Sequence, residues 1–279
     1  MNIILDAPSK INLYLRIKGK RPDGYHEIDT LFYPLDNPAD KISVSENQGL
    51  SVSCSDPDIP SGRENICWKA ARKYADAAGI KADWHISIEK NIPVAAGMGG
   101  GSSDAAAVLK ALQKKFNALT PGLLHEIATG TGADVPFFLN PVPSIAEGIG
   151  DKLSPLDFKT GKIPVLIAAP LFPVSAAWSY KNAVIPDSPP SLSALLEALK
   201  KSDWEACGKL LHNDLACAVY NKFPLTRAIK EKMLELGACG AEITGSGPTL
   251  FGIFKSPEAV SGAVPFMREA FGPSVRFIC

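Results

Sequence analysis

The sequence has little of what marks several large protein classes. Its six cysteines, Cys54, Cys67, Cys207, Cys217, Cys239 and Cys279, form no Cys-x-x-Cys pair, and its four histidines form no His-x-x-x-His. Metal-cluster and disulfide-framework readings are weak on that pattern, and buried free thiols of a reducing compartment are expected. The 29 basic and 29 acidic side chains cancel, and no long basic run breaks the balance, which argues against a nucleic-acid or membrane-surface protein. No stretch approaches the ~20 consecutive apolar residues that span a bilayer. The opening residues, MNIILDAPSKIN, show neither a basic n-region with a long apolar core nor an Arg/Ser-rich transit pattern. A soluble cytoplasmic protein is the expectation.

Two phosphate-binding signatures are missing as well. No lysine or arginine lies between Pro93 and Ser103, so the glycine-rich stretch there is not a GxxxxGK[ST] loop. No GxGxxG spacing with a downstream ribose-binding acid fits it either.

What is present is a chain of 279 residues, 46% hydrophobic, long enough for two domains or one large one with ample core. The segment PVAAGMGGGSS holds Gly97, Gly99, Gly100 and Gly101 within five residues. Such a loop lets backbone approach an anion closely. Asp104 to Phe116 follows with Ala105, Val108, Leu109, Leu112 and Phe116 at the spacing of one buried helix face, and Ser102 and Ser103 stand where an N-cap is expected. Before the loop, Trp84 to Lys90 alternates as a half-buried strand. Strand, glycine loop and helix start together make a phosphate pocket, with a nucleotide triphosphate as the expected guest. A flexible Gly/Ser linker is the rival reading.

Elsewhere, Lys10 to Lys18 alternates strictly, placing Lys10, Asn12, Tyr14 and Arg16 on one face and Ile11, Leu13, Leu15 and Ile17 on the other. Arg21-Pro22-Asp23-Gly24 has the chemistry of a chain reversal that delivers Tyr25 and His26. Further strands are expected near 41–44 and 50–54, a helix over 64–78 ending at Gly79, and a short helix over 121–129. Residues 132–139, GADVPFFL, read as a turn entering an apolar strand, with Pro136 holding Val135 extended. A polar, turn-rich stretch near 157–162 marks the expected domain boundary, giving domains 1–158 and 159–279. The second half reads as a strand from 162, helices over 191–200, 203–219 and 224–236, a hairpin around Gly245-Ser246-Gly247-Pro248, a last helix over 257–271 and a terminal strand, an α+β pattern.

Three blocks, APSKINL from Ala7, PVAAGMGGGSSDAA from Pro93 and ITGSGPTLFG from Ile243, resemble in this order the three motifs of the GHMP small-molecule kinases. The resemblance covers the whole chain. Adding RPDGYHEIDTLF (Arg21 to Phe32) and GADVPFF (Gly132 to Phe138), it is closest to a branch whose members phosphorylate a cytidine-diphosphate-linked alcohol in non-mevalonate isoprenoid synthesis. Homoserine- or mevalonate-type kinases, and a catalytically silent nucleotide sensor on the same scaffold, are the alternatives.

The resemblance implies an α+β, two-domain GHMP kinase fold, with a ribosomal-S5-domain-2-like N-terminal domain and a ferredoxin-like C-terminal domain. It implies ATP and Mg2+ as cofactors and a small-molecule substrate bearing a cytidine diphosphate group, with no nucleic-acid or membrane partner. Lys10 would supply the cation near the transferred phosphoryl and Asp134 the general base, the two forming a pair. Pro93, Val94, Ala95, Ala96, Gly97, Met98, Gly99, Gly100, Gly101, Ser102 and Ser103 would cradle the triphosphate. Asn65 would reach the ATP base, or is an ordinary helix-start residue. Tyr25 and His26, with Asn12, would meet the substrate; Tyr180 would be a second stacking ring, or a packing tyrosine. Ser103 is an available magnesium ligand, the metal's other ligands being unassigned. Met98 stands where the family usually has leucine, a volume-conserving exchange.

Overall fold

Two long strands open the chain, and the computed structural model describes residues 2–279. In chain order the elements are β1 (Asn2–Lys20), β2 (His26–Glu46), β3 (Ser51–Cys54), α1 (Ile66–Ala78), β4 (Trp84–Glu89), α2 (Gly100–Phe116), α3 (Pro121–Thr131), α4 (Val135–Leu139), β5 (Ser144–Glu147) and β6 (Lys152–Pro155). There follow β7 (Val165–Pro170), α5 (Ala176–Lys181), α6 (Leu192–Lys200), α7 (Trp204–Leu210), β8 (His212–Asn213), α8 (Ala216–Lys222), α9 (Pro224–Glu235), β9 (Gly240–Ile243), β10 (Leu250–Ile253), α10 (Pro257–Phe271) and β11 (Val275–Ile278).

Two compact units are distinguished, and neither is one contiguous segment. The first holds residues 2–9, Pro34–Val94 and Gly99–Val142; the second holds Lys10–Tyr33, Ala95–Met98 and Pro143–Cys279. The boundary expected near residue 158 is a division along the sequence, whereas these units follow packing.

In the first unit β4 pairs antiparallel with β2 and parallel with β3. Helix α2 is buried nearly all round, through Ala105, Ala106, Ala107, Val108, Leu109, Ala111 and Leu112, as suits a helix packed by α1 on one side and α4 on another. Small residues Ala70 and Ala71 of α1 and the rings of Phe137 and Phe138 in α4 complete that core. Phe116, expected on the buried face, ends α2 partly exposed with its ring tilted against Trp84. Helix α1 starts where Asn65 caps it and stops at Gly79, whose φ of 65° is the left-handed C-terminal conformation.

In the second unit β7, β10, β9 and β11 form a four-stranded antiparallel sheet in the order β11-β7-β10-β9. Ile243, Leu250, Leu166 and Ala168 join Ile229 and Met233 of α9 and Val260, Ala263 and Met267 of α10 in one apolar cluster that extends to Leu15 and Ile17 of β1. Strand β8 pairs parallel with β1 at Tyr14 and Leu15.

Four expectations are corrected. Residues 135–139 form helix α4, not a strand: Pro136 stands in its first turn, where the missing N–H costs nothing, and Val135 is helical. The expected helix over 203–219 is two helices separated by β8. Ser102 and Ser103 lie inside the first turn of α2, because Gly99, at φ 75°, takes the cap position without a side chain. Of the thiols, Cys67 and Cys207 are buried while Cys217 and Cys279 are exposed, and no disulfide forms among the described residues.

Candidate active site

In the second unit β1 presents Lys10 with 4% exposure, buried rather than solvated. Its Nζ donates to Asn12 Oδ1 at 2.6 Å and to the Gly97 carbonyl at 3.0 Å, and lies 5.1 Å from the centre of the Phe32 ring. The orientation of the Asn12 amide follows from proton accounting. Thr30 Oγ1 gives its hydrogen to the Tyr14 carbonyl and so must accept from Asn12 Nδ2, at 2.8 Å, which turns Oδ1 toward the lysine.

Thr244 shares that arrangement. Its Oγ1 accepts from Asn12 N at 3.1 Å and is aimed at the same two acceptors that Lys10 uses, Asn12 Oδ1 at 3.2 Å and Gly97 O at 3.1 Å. The lysine of the first block, the glycine of the second and the threonine of the third thus meet around two oxygens. Glycine is obligatory at 97: with φ 74°, an added Cβ would stand 2.1 Å from the Thr244 carbonyl. At Gly245 an added Cβ would stand 2.9 Å from the Gly97 carbonyl, so the two glycine turns touch backbone to backbone. Ala95 takes φ 51°, a left-handed alanine of the kind found at ligand-facing loops.

The ring pair is also assembled in this unit. His26 stacks on Tyr180 with centroids 5.1 Å apart and planes 22° from parallel. Tyr25 sits at the end of the Arg21 to Gly24 turn, 61% exposed, its N–H bonded to Asp23 Oδ1. Tyr180 comes from α5, a helix absent from the sequence-based expectations.

In the first unit the start of α2 is set by buried charges that the sequence reading missed. Lys90, at the end of β4, is ion-paired with Asp40 and lies 2.8 Å from Asp104 Oδ2; the three side chains are 6%, 0% and 4% exposed. Asp40 Oδ1 also accepts from the N–H groups of Asn91 and Ile92 at 2.5 and 2.8 Å. Burial pushes the Asp104 carboxyl up, to about 7, against the pull of the Lys90 ammonium. Burial would lower Lys90, but its two carboxylates carry it above the ordinary lysine value. Asp104 Oδ1 and Ser103 Oγ are buried and find no hydrogen-bond partner among the described residues.

Asn65 spends both ends of its amide on the helix start, Oδ1 accepting from Cys67 N and Nδ2 donating to Pro60 O. The helix it caps sets Ile66 against the glycines: added Cβ atoms would lie 3.7 Å from Ile66 at Gly101 and 3.5 Å at Gly132. Asp134 is half-buried at the N-cap of α4, and its side chain does not cap the helix. In the sequence Thr244 is a lone hydroxyl residue between Ile243 and Gly245, and Asp40 and Lys90 are each a charge in or after a strand.

The description "GHMP kinases N terminal domain" matches residues 65–140 and "GHMP kinases C terminal" matches 195–272. These place the chain in the class of GHMP kinases. A 4-diphosphocytidyl-2-C-methyl-D-erythritol kinase of Citrifermentans bemidjiense is 39% identical over 95% of this chain and 94% of its own length. One from Syntrophotalea carbinolica is 40% identical over 95% and 94%. A crystal structure of 4-(cytidine 5'-diphospho)-2C-methyl-D-erythritol kinase superposes with a TM-score of 0.83 at 35% identity, covering 99% of this chain and 97% of that one. Homoserine kinase from Cytophaga hutchinsonii shares the fold, with a TM-score of 0.77 at 20% identity over 100% and 93%. This chain belongs to the 4-diphosphocytidyl-2-C-methyl-D-erythritol kinase family.

Proposed function

We propose that the chain transfers the γ-phosphoryl group of ATP to the 2-hydroxyl of 4-(cytidine 5'-diphospho)-2-C-methyl-D-erythritol, a step of non-mevalonate isoprenoid precursor synthesis in the cytoplasm. Membership of the kinase family supports the substrate. The observation that carries the chemistry is the buried Lys10 ammonium, fixed on Asn12 Oδ1 and the Gly97 carbonyl of the glycine loop.

Phosphoryl transfer asks the protein mainly for positioning and charge stabilisation. Pro93 to Ser103 cradle the triphosphate, with Asn65 acting on the cradle through Ile66. Lys10 stabilises negative charge on the transferred group. Asp134 accepts the hydroxyl proton as the new oxygen–phosphorus bond forms and the bond to the β-phosphate oxygen breaks, releasing ADP. Asn12 orients Lys10, and the His26–Tyr180 pair with Tyr25 receives the cytosine by hydrogen bonding and stacking. Among the described residues no group of three or more His, Cys, Asp and Glu is placed to hold a metal. The orphaned Ser103 hydroxyl fits Mg2+ as one oxygen ligand and would hold it there, where the ion would neutralise phosphate charge.

Purified protein with Mg-ATP is expected to phosphorylate this alcohol and to leave homoserine and mevalonate unchanged. Asp134→Asn is expected to keep ATP binding and to lose about 10²–10⁴-fold in kcat, the usual worth of a positioned base. Wild-type protein that binds ATP yet leaves the cytidyl substrate untouched at saturation refutes the assignment.

A further inference from the structure

The second glycine turn, residues 244–247, is held by its carbonyls. Asn213 Nδ2 donates to Gly245 O at 2.9 Å and to Ile243 O at 3.0 Å, and Ser179 Oγ donates to Ser246 O at 3.0 Å. Gly247 N turns back to Thr244 O at 3.0 Å. Within a trans, planar peptide the carbonyl and the following N–H point oppositely, so the hold of Asn213 on Gly245 O aims the Ser246 N–H away from it. Neither the Gly245 nor the Ser246 N–H finds an acceptor among the described residues. Two adjacent donors are left for an anion.

Ser179 has a second connection. It is the one fully buried residue of α5, its hydroxyl given to the turn, and its neighbour Tyr180 stacks on His26. One short helix therefore carries, on consecutive residues, a contact to the base-reading rings and a contact to the phosphate-facing turn. Nothing in the proposed chemistry uses Ser179 directly.

We infer that Ser179 is a positioning residue that keeps the base-reading pair and the second glycine turn in register, so that a seated cytosine and an oriented turn occur together. This rests on the reading above that Tyr180 and His26 receive the base. Losing a buried hydrogen bond of this kind corresponds to about a tenfold change.

Ser179→Ala is expected to raise KM for the cytidyl substrate and to lower kcat, the two together lowering kcat/KM by about tenfold. Its KM effect should vanish when made on top of Tyr180→Ala, while its kcat effect persists. Asn213→Ala, which frees the turn without touching α5, should lower kcat and leave that KM alone. KM and kcat effects of Ser179→Ala that are undiminished in the Tyr180→Ala background overturn the coupling, as does a Ser179→Ala enzyme with a lowered melting temperature and wild-type kinetics. Calorimetry with cytidine 5'-diphosphate separates the two levels: if Tyr180→Ala binds it as tightly as wild type does, the base-reading assignment itself fails and the coupling with it.

Discussion

The two glycine turns of this kinase are held in place by opposite kinds of chemistry. In the first unit the strand end before the loop and the helix start after it are joined through Lys90 between Asp40 and Asp104, charges that are almost wholly buried. Lys90 Nζ would lie 3.3 Å from a Cβ added at Gly100, so the ammonium stands under the first turn of α2. In the second unit the turn at 244–247 is held by neutral donors, Asn213 and Ser179, and the acceptors around it are backbone carbonyls and an amide oxygen. Charge stands beside this turn: Lys10 on the shared acceptors Asn12 Oδ1 and Gly97 O, Asp214 next to Asn213, and Glu242 of β9, which meets Tyr220 and a Lys230 that is 31% exposed. A buried ion network fixes geometry strongly but fails abruptly when one member is lost. A neutral network gives up about 1–3 kcal/mol per orphaned group and can be trimmed one bond at a time.

The contrast is broken most severely at Lys90. Lys90→Met removes the one cation and leaves two carboxylates in an apolar surround, and breaking a buried pair from one side costs about 3–5 kcal/mol. Urea denaturation is expected to show that loss, and a change below about 1 kcal/mol would mean that the first unit does not rely on its charges. On the neutral side, Thr244→Val keeps shape and removes the hydroxyl, orphaning the buried Asn12 N–H. The expected cost is about 1–3 kcal/mol of stability. Because Lys10 and Thr244 share two acceptors, kcat is expected to fall more than the KM for ATP rises. Unchanged kinetics would show that Lys10 holds its place without the threonine.

Much of this difference could not be seen in the sequence, for identifiable reasons. The α1 and α2 helices, the Arg21 to Gly24 reversal and the β9–β10 hairpin were legible because caps, glycines and periodicity are local signals. The helix expected over 203–219 has no glycine or proline at the point where it breaks, between 210 and 216. What breaks it is distant: Asp214 Oδ2 accepts from Ile17 N at 2.6 Å, and Asn213 reaches the second glycine turn. Val135 to Leu139 suggests a strand from sequence because five apolar residues carry no period, and a proline such as Pro136 constrains its predecessor as readily as it fits a first helical turn. The three motif blocks gave Lys10, Asn12 and the glycines by residue. They gave no hint that Thr244 completes the arrangement, because its hydroxyl's partners Gly97 and Asn12 lie 147 and 232 residues away.

The mildest test exploits a pH dependence of the charged side. Asp104 in the folded chain is pushed up to about 7 by burial, while in the unfolded chain it returns to the ordinary aspartate range near 3.8. A raised carboxyl binds its proton more tightly when folded. Its stabilising contribution is therefore fully present below the unfolded value and is lost as pH rises through the folded one. Lys90 is raised too, but its own loss falls above the ordinary lysine value and leaves the neutral range alone. Melting temperature should accordingly decline between mildly acidic and neutral pH by an amount attributable to this cluster. Asp104→Asn leaves one ammonium facing one carboxylate and removes the titrating group, so it is expected to flatten that decline. Near pH 8 it should melt higher than wild type by about 2–4 °C, the shift that about 1 kcal/mol produces in a chain of roughly this size. A mutant whose melting curve follows wild type at every pH would show that Asp104 is charged in the folded state throughout, and the first glycine loop would then rest on a balanced rather than a strained set of charges.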